Sequence, residues 1–456
     1  MKIEEAVQWQ KTFFRTGKTI PLAFRKMALK RLRRKILCYE KEICAALRED
    51  LNKSEPESYL SEIGMTLSEL GYVEKHLARW TAKRHVLTPL AQFSAESFTV
   101  KEPYGVVLVM SPWNYPFMLC MEPLIGALAA GNCCVVKPSA YAPATSAVIR
   151  KILGECFPPE YVLTVEGGRK ENRELLDQPF DYIFFTGGVT VGREVMERAA
   201  KNLTPVTLEL GGKSPCIVDR TAKLNLAAKR IVFGKFLNCG QTCVAPDYIL
   251  VEQCVKEEFI GYLKKWITVM YGTDARKNPD YGKMINEKHF RRVCGLIEPE
   301  KVVFGGGADA DTLKIQPTIL DNVTAADAVM QEEIFGPVLP VLTFDAPTEA
   351  ERFIRERPKP LALYLFTRNR CAMERFLRHV PFGGGCINDT VIHLATSRMG
   401  FGGVGESGMG SYHGKKSFDT FSHEKSIVKK HLWLDLPMRY APYADWKNAL
   451  VRMFLK

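Results

Sequence analysis

Residues 238–247, Asn-Cys-Gly-Gln-Thr-Cys-Val-Ala-Pro-Asp, place a thiol, Cys243, in a short segment rich in Asn, Gly and Thr. Such a segment suits a sulfur held at a reactive surface better than one buried in packing. A free cysteine has a pKa near 8.5, so only about 3% is thiolate at neutral pH without help. Backbone N–H groups aimed at the sulfur would supply that help. Upstream, the carboxylate of Glu209 runs into a turn at Gly211 and Gly212. A nucleophile and a potential base, each mounted on a tight turn, point to covalent catalysis.

Four other segments could bind or polarise a ligand, and each has a plainer reading. Residues 184–192 run from an apolar strand through Gly187 and Gly188 to Gly192. That junction brings a phosphate to the N–H groups of a helix N-terminus, or is only a tight turn, since its spacing is not G-x-G-x-x-G. Lys137 follows a strand directly, at the carboxyl end where ligands bind, or is a solvated turn lysine. Asn114, in a loop after another strand, offers an amide that stabilises an oxyanion by roughly 3–4 kcal/mol in a favourable case, or caps the next helix. Glu333 and Phe335 stand two apart on one side of what reads as an extended segment. They would grip a sugar hydroxyl and stack on a ring, or form a turn.

The elements that carry these residues follow a clear rhythm. Residues 1–80 read as helical, with apolar positions at 3.6-residue spacing. Short all-apolar strands are expected at 105–110, 133–136, 161–164 and 181–185, with helices at 117–130 and 143–156. Strands at 216–218 and 248–251 flank a helix at 224–237. Apolar strands alternating with helices indicate parallel sheets covered on both faces, hence an α/β protein of two doubly wound domains. Residues 97–101 and 417–428 alternate polar and apolar outside that rhythm and read as strands reaching to a partner subunit.

Bulk composition narrows the function classes. A chain of 456 residues with 46% hydrophobic content builds two or three domains with a large core. The start of the sequence lacks an apolar signal region, and thirteen cysteines then suggest free thiols in a reducing, cytoplasmic compartment. There is no C-x-x-C and no H-E-x-x-H, so no metal site is expected. Residues 104–121 are uncharged, but Ser111, Pro112, Asn114 and Pro116 would leave backbone groups unpaired in lipid. The net charge of +12 comes largely from one early helix carrying Lys26, Lys30, Arg31, Arg33, Arg34 and Lys35. That is a solvated face or a nucleic-acid patch, and no zinc finger or RNA-binding signature supports the second.

Taken in order, WNYP (113–116), KPS (137–139), FTGG (185–188), LELGGKSP (208–215), NCGQTCVAPDY (238–248), EEIFGP (332–337) and the block at 400–423 closely resemble the aldehyde dehydrogenase superfamily, its class 3 branch above all. The resemblance runs from about residue 5 to residue 430. It implies a Rossmann-like NAD(P)-binding domain (1–80 and 104–210), an α/β catalytic domain (211–395), a small oligomerisation β-arm and linker (81–103 and 396–430) and a tail (431–456). By that resemblance Cys243 is the nucleophile and Asn114 the oxyanion donor, joined by the Cys243 N–H. Glu209 is the base that activates water. Lys137 contacts the adenosine ribose, Gly187, Gly188 and Gly192 form the pyrophosphate turn, and Glu333 with Phe335 grips the nicotinamide end.

The implied reaction is NAD- or NADP-dependent oxidation of an aldehyde to its acid by a homodimer. Tyr115, Met118, Phe233 and Met65 are candidate pocket walls for a medium or long aliphatic, or an aromatic, aldehyde. Departures from the family pattern include Ala140 where a ribose-binding Glu is common, Gly188 for Ser, Phe401 for Pro and Glu406 for Asn. Losing the carboxylate at 140 should ease binding of NADP. Cys239 reads as a spectator thiol or a protective disulfide partner, and His393 as structural or substrate-facing. The segment 444–456 resembles an interfacial helix that meets a membrane surface or the partner subunit.

Overall fold

The computed structural model describes residues 2–455. Its four long N-terminal helices, Ile3–Arg15, Leu22–Cys38, Glu40–Leu51 and Gly64–Trp80, pack with Met118–Ala130 and Pro143–Cys156 on a six-stranded sheet. The strand order is Gly408–Met409, Val206–Leu210, Tyr182–Gly187, Val106–Met110, Cys133–Lys137, Val162–Thr164, and only the first strand is antiparallel. From the central strand Val106–Met110 the chain first builds one side of the sheet, then returns to build the other. The topological switch therefore falls beside Val106–Met110, where a parallel sheet opens a crevice.

The second sheet has seven strands in the order Val302–Phe304, Thr318–Leu320, Val338–Phe344, Tyr248–Glu252, Pro215–Val218, Ala362–Phe366, Gly384–Ile387. Only the first pairing in it is antiparallel. The helix 143–156 begins and ends where the sequence places it, because Pro143 sets its first turn.

A three-stranded arm pairs Arg84–Val86 and Ser422–Lys430 on either side of Ala95–Pro103. Both segments expected to leave the body are thus strands, but they pair with each other. The expected strand at 417–428 is corrected at its start, since Lys415–Thr420 is helical and the strand runs from Ser422. The tail forms a helix, Asp445–Phe454, with no buried residue. Lys456, which the sequence counts into that helix, lies outside the described residues.

Candidate active site

The thiol loop leaves the helix Leu224–Phe236 through three successive left-handed residues, Asn238 (φ 53°), Cys239 (φ 55°) and Gly240 (φ 73°). For non-glycine residues that conformation costs on the order of 1 kcal/mol each. Bonds from distant segments hold it. Glu57 accepts the Asn238 N–H at 2.8 Å, and the Gln241 side chain bridges the Asn238 carbonyl, the Lys283 carbonyl and the Ile285 N–H at 3.0–3.1 Å. A Cβ at residue 240 would lie 2.3 Å from the Gly336 carbonyl, so only glycine fits. The loop then turns to present Cys243, which is partly buried. The N–H groups of Cys243 and Val244 face its sulfur and favour the thiolate, while burial and then the Glu333 and Glu209 carboxylates push its pKa up.

Asn114 is buried on the loop after Val106–Met110 and donates its side-chain N–H to the Gln241 carbonyl at 3.0 Å. It does not cap the helix Met118–Ala130, whose first N–H groups go to Glu62. Glu209 is buried near the carboxyl end of Val206–Leu210 with both side-chain oxygens unpartnered, and burial holds its pKa well above the usual carboxylate range. Gly402 leaves room beside it, since a Cβ there would lie 3.1 Å from Glu209 Oε1. Opposite Glu209 in register stands Thr186, whose hydroxyl is also buried without a partner.

Glu333 lies over Gly211, where a Cβ would come within 2.0 Å of its carboxylate, and accepts the Gly212 N–H. Burial, then Asp247, pushes the Glu333 pKa up to about 8. Lys213 fastens this loop, donating to Asp247 and to the Val329 and Glu332 carbonyls at 2.9 Å. Asp247 in turn accepts the Ile334 N–H at 2.9 Å. Phe335 is not on an extended segment with Glu333. Its φ of 48° breaks the two-residue alternation, and its ring meets the Trp113 ring edge-on at 5.3 Å.

The crevice at the switch point fits a dinucleotide. Gly188 precedes the helix Val189–Ala200 with open space around its Cα and no side chain capping the helix. Gly192 lets that helix approach Leu210, where a Cβ would sit 2.7 Å from a methyl group. Lys137 is buried, and its ammonium donates to the Pro138 carbonyl at 2.8 Å, leaving N–H bonds for a hydroxylated ligand. Ala140 is exposed beside it. Among the described residues no group of side chains could hold a metal ion.

On the other side of the thiol lies a cavity of about 150 Å³. Tyr115, Met118, Phe233 and Met65 all line it, together with Cys243, and no charged side chain does. The sequence reading missed Phe401 and Tyr412, which also line it and exchange backbone hydrogen bonds at 2.9 Å both ways. Phe401 therefore adds an aromatic wall rather than disturbing the loop. Glu406 pairs with Arg193 at 3.5 Å on the surface. His393 is not in the wall. It contacts the Cys386 sulfur at 3.6 Å, and burial lowers its pKa to about 4. Cys239 is buried and donates to the Tyr281 hydroxyl.

The profile of the aldehyde dehydrogenase family matches residues 1–427. The chain is 49% identical to the 4,4'-diaponeurosporen-aldehyde dehydrogenase of Staphylococcus aureus over all of this chain and 99% of that one. It is 46% identical to the dimeric NADP-preferring aldehyde dehydrogenase of Canis lupus familiaris, over 97% of this chain and 98% of that one. A solved substrate-bound Staphylococcus aureus AldH superposes with a TM-score of 0.98, at 48% identity and complete coverage of both chains. An indole-3-acetaldehyde dehydrogenase solved with NAD+ superposes at 0.86, at 27% identity over 93% of this chain and 88% of that one. A buried thiol loop, a dinucleotide crevice and full-length likeness together make this chain an enzyme of the aldehyde dehydrogenase family.

Proposed function

We propose that the enzyme oxidises apolar aldehydes, medium or long aliphatic or aromatic, to carboxylic acids through a thioester on Cys243. The observation that carries this reading is the uncharged cavity that includes the Cys243 side chain in its wall. The Cys243 sulfur attacks the aldehyde carbon as its thiolate to give a thiohemiacetal; burial and the Glu333 and Glu209 carboxylates oppose that form, and two N–H groups favour it. The Asn114 amide and the Cys243 N–H stabilise the oxyanion. NAD or NADP, held by Lys137, the Gly187–Gly188–Gly192 turn, Glu333 and Phe335, supplies the hydride acceptor when bound. Glu209 then takes a proton from water as that water attacks the thioester, and the acid leaves with the thiol restored. A panel of aldehydes followed at the NAD(P)H absorbance band tests this, with Cys243→Ala as control. Preference for short, charged aldehydes would refute the substrate class.

The domain boundaries and arm implied by the resemblance belong to this reading, as does a reducing, cytoplasmic setting, supported by thirteen free cysteines. A homodimer is supported by the exposed outer edge of Ser422–Lys430, a nine-residue strand with Ile427 and Val428 in solvent. The tail favours a second surface role. It exposes Trp446, Met453 and Leu455 beside Lys447 and Arg452, as an interfacial helix would at a membrane. No helix among the described residues is long and apolar enough to cross one. Removing residues 440–456 and measuring liposome association decides the matter, and unchanged binding eliminates the tail's role.

A further inference from the structure

Asn114 sits on a loop without regular structure, so other residues must aim its amide. A buried ion pair far away in sequence reaches that loop. Lys53 follows the helix Glu40–Leu51, and Glu62 belongs to a π-helical stretch, Tyr59–Ile63; both side chains are wholly buried. The wider π turn changes the facing of successive residues. Leu60 and Ser61 line the cavity, while Glu62 points to the loop that carries Asn114.

Each donor of the Lys53 ammonium has a target. It donates to Glu62 Oε1 at 2.5 Å and to the Asn114 carbonyl at 3.1 Å, and it stands 4.0 Å from the centre of the Tyr115 ring. The second Glu62 oxygen accepts the N–H groups of Phe117 and Met118, each at 2.9 Å. The backbone is thus fixed at Asn114 and again three and four residues later. The thiol loop is tied to the same carbonyl, because Asn238 Nδ2 donates to it at 2.7 Å and to the Gln241 carbonyl at 3.1 Å.

We propose that Lys53 and Glu62 are positioning residues that hold the Asn114 amide where the oxyanion develops. The inference rests on the thioester reaction proposed above. A buried ion pair is a poor device for stability alone, since apolar side chains of similar volume often serve as well or better. Its geometry here serves direction instead, since each hydrogen bond described above beyond the pair itself goes to one segment, residues 114–118.

The test compares the parent, Asn114→Ala, Lys53→Met/Glu62→Met and the triple variant. An uncharged pair keeps the volume and leaves neither partner's charge without the other, so the double variant is expected to fold. It should keep the parent's cofactor KM and its rate of Cys243 alkylation by iodoacetamide, which needs the thiolate but no oxyanion donor. Its kcat should fall about 30- to 100-fold, the scale of an ångström's misplacement. In the Asn114→Ala background the same double change should cost less than about threefold, because the group it positions is gone. Should the double variant not fold, Glu62→Gln carries the same comparison, with an expected loss of about tenfold that vanishes without Asn114. An unchanged kcat, a loss that persists in full without Asn114, or a parallel fall in alkylation overturns the inference. A parent that oxidises no aldehyde overturns the proposed function and this inference together, whereas an active parent with an indifferent variant removes the inference alone.

Discussion

The six-stranded sheet reaches the site with the carboxyl ends of its strands, and the seven-stranded sheet reaches it with the amino ends of its own. Lys137, Gly187 and Glu209 lie in the last two residues of parallel strands. Cys243, Glu333 and Phe335 lie in loops that lead into Tyr248–Glu252 and Val338–Phe344. Strand-to-helix turns release helix N–H groups, so the first edge presents open, unstrained contacts. The loops into the second sheet are built differently. Asn238, Cys239, Gly240 and Phe335 all have positive φ, and at the three non-glycine positions that strained backbone is held in place by distant contacts. Each edge carries both kinds of residue: Glu209 stands on the first with Lys137 and Gly187, and Glu333 and Phe335 stand on the second with Cys243.

Changes at single residues, rather than at whole edges, should therefore separate acyl chemistry from cofactor use. The largest effect is expected for Cys243→Ala, which should abolish aldehyde oxidation while NAD(P) binding, read by fluorescence quenching, persists. Glu209→Gln should leave the first hydride transfer intact and slow turnover about a hundredfold or more. The acyl adduct should then be trapped on Cys243 by mass spectrometry, and an adduct elsewhere would break the assignment.

Glu209 also sets a pH dependence. Burial raises its folded pKa above the unfolded one, so its contribution to stability is complete below the unfolded value and lost as pH rises toward the folded one. Turnover should therefore climb with pH as Glu209 ionises. The melting temperature of Glu209→Gln should exceed the parent's at about pH 8 but not at about pH 4.

Gly211→Ala sharpens the contrast on the other side. Its new Cβ collides with the Glu333 carboxylate, so the cofactor KM should rise about tenfold, or ~1.4 kcal/mol, while Cys243 alkylation stays unchanged. The smallest effect concerns Ala140. The parent should use NAD and NADP with kcat/KM values within about tenfold, and Ala140→Glu should shift the ratio toward NAD by a similar factor. A hundredfold NAD preference in the parent would refute this reading of position 140.

What was legible in the sequence follows from how local each signal is. The helix at 143–156 and the apolar strands could be placed because Pro143 and unbroken Val, Ile and Leu runs act within a few residues. Gly211 beside Glu209, and Gly187 and Gly192 after Phe185, mark real close approaches, which turn chemistry records directly. Phe335 was misread because a two-residue spacing says nothing about a positive φ imposed by packing. The helix at Lys415–Thr420 was read as strand because six residues give too short a window for a helical period to show. Lys53 and Glu62 escaped notice altogether, being polar residues in a charged helical region. Their meaning depends on a loop more than fifty residues away.

The left-handed run at Asn238–Gly240 has a consequence for the chain as it is made. Its supports are Glu57, already synthesised, and Lys283 and Ile285, which follow by more than forty residues. Until translation has passed that far, these contacts cannot hold the turn that presents Cys243. The thiol therefore reaches its place only after the chain has grown well past it, with Phe401 and Tyr412 of its cavity wall still to be made.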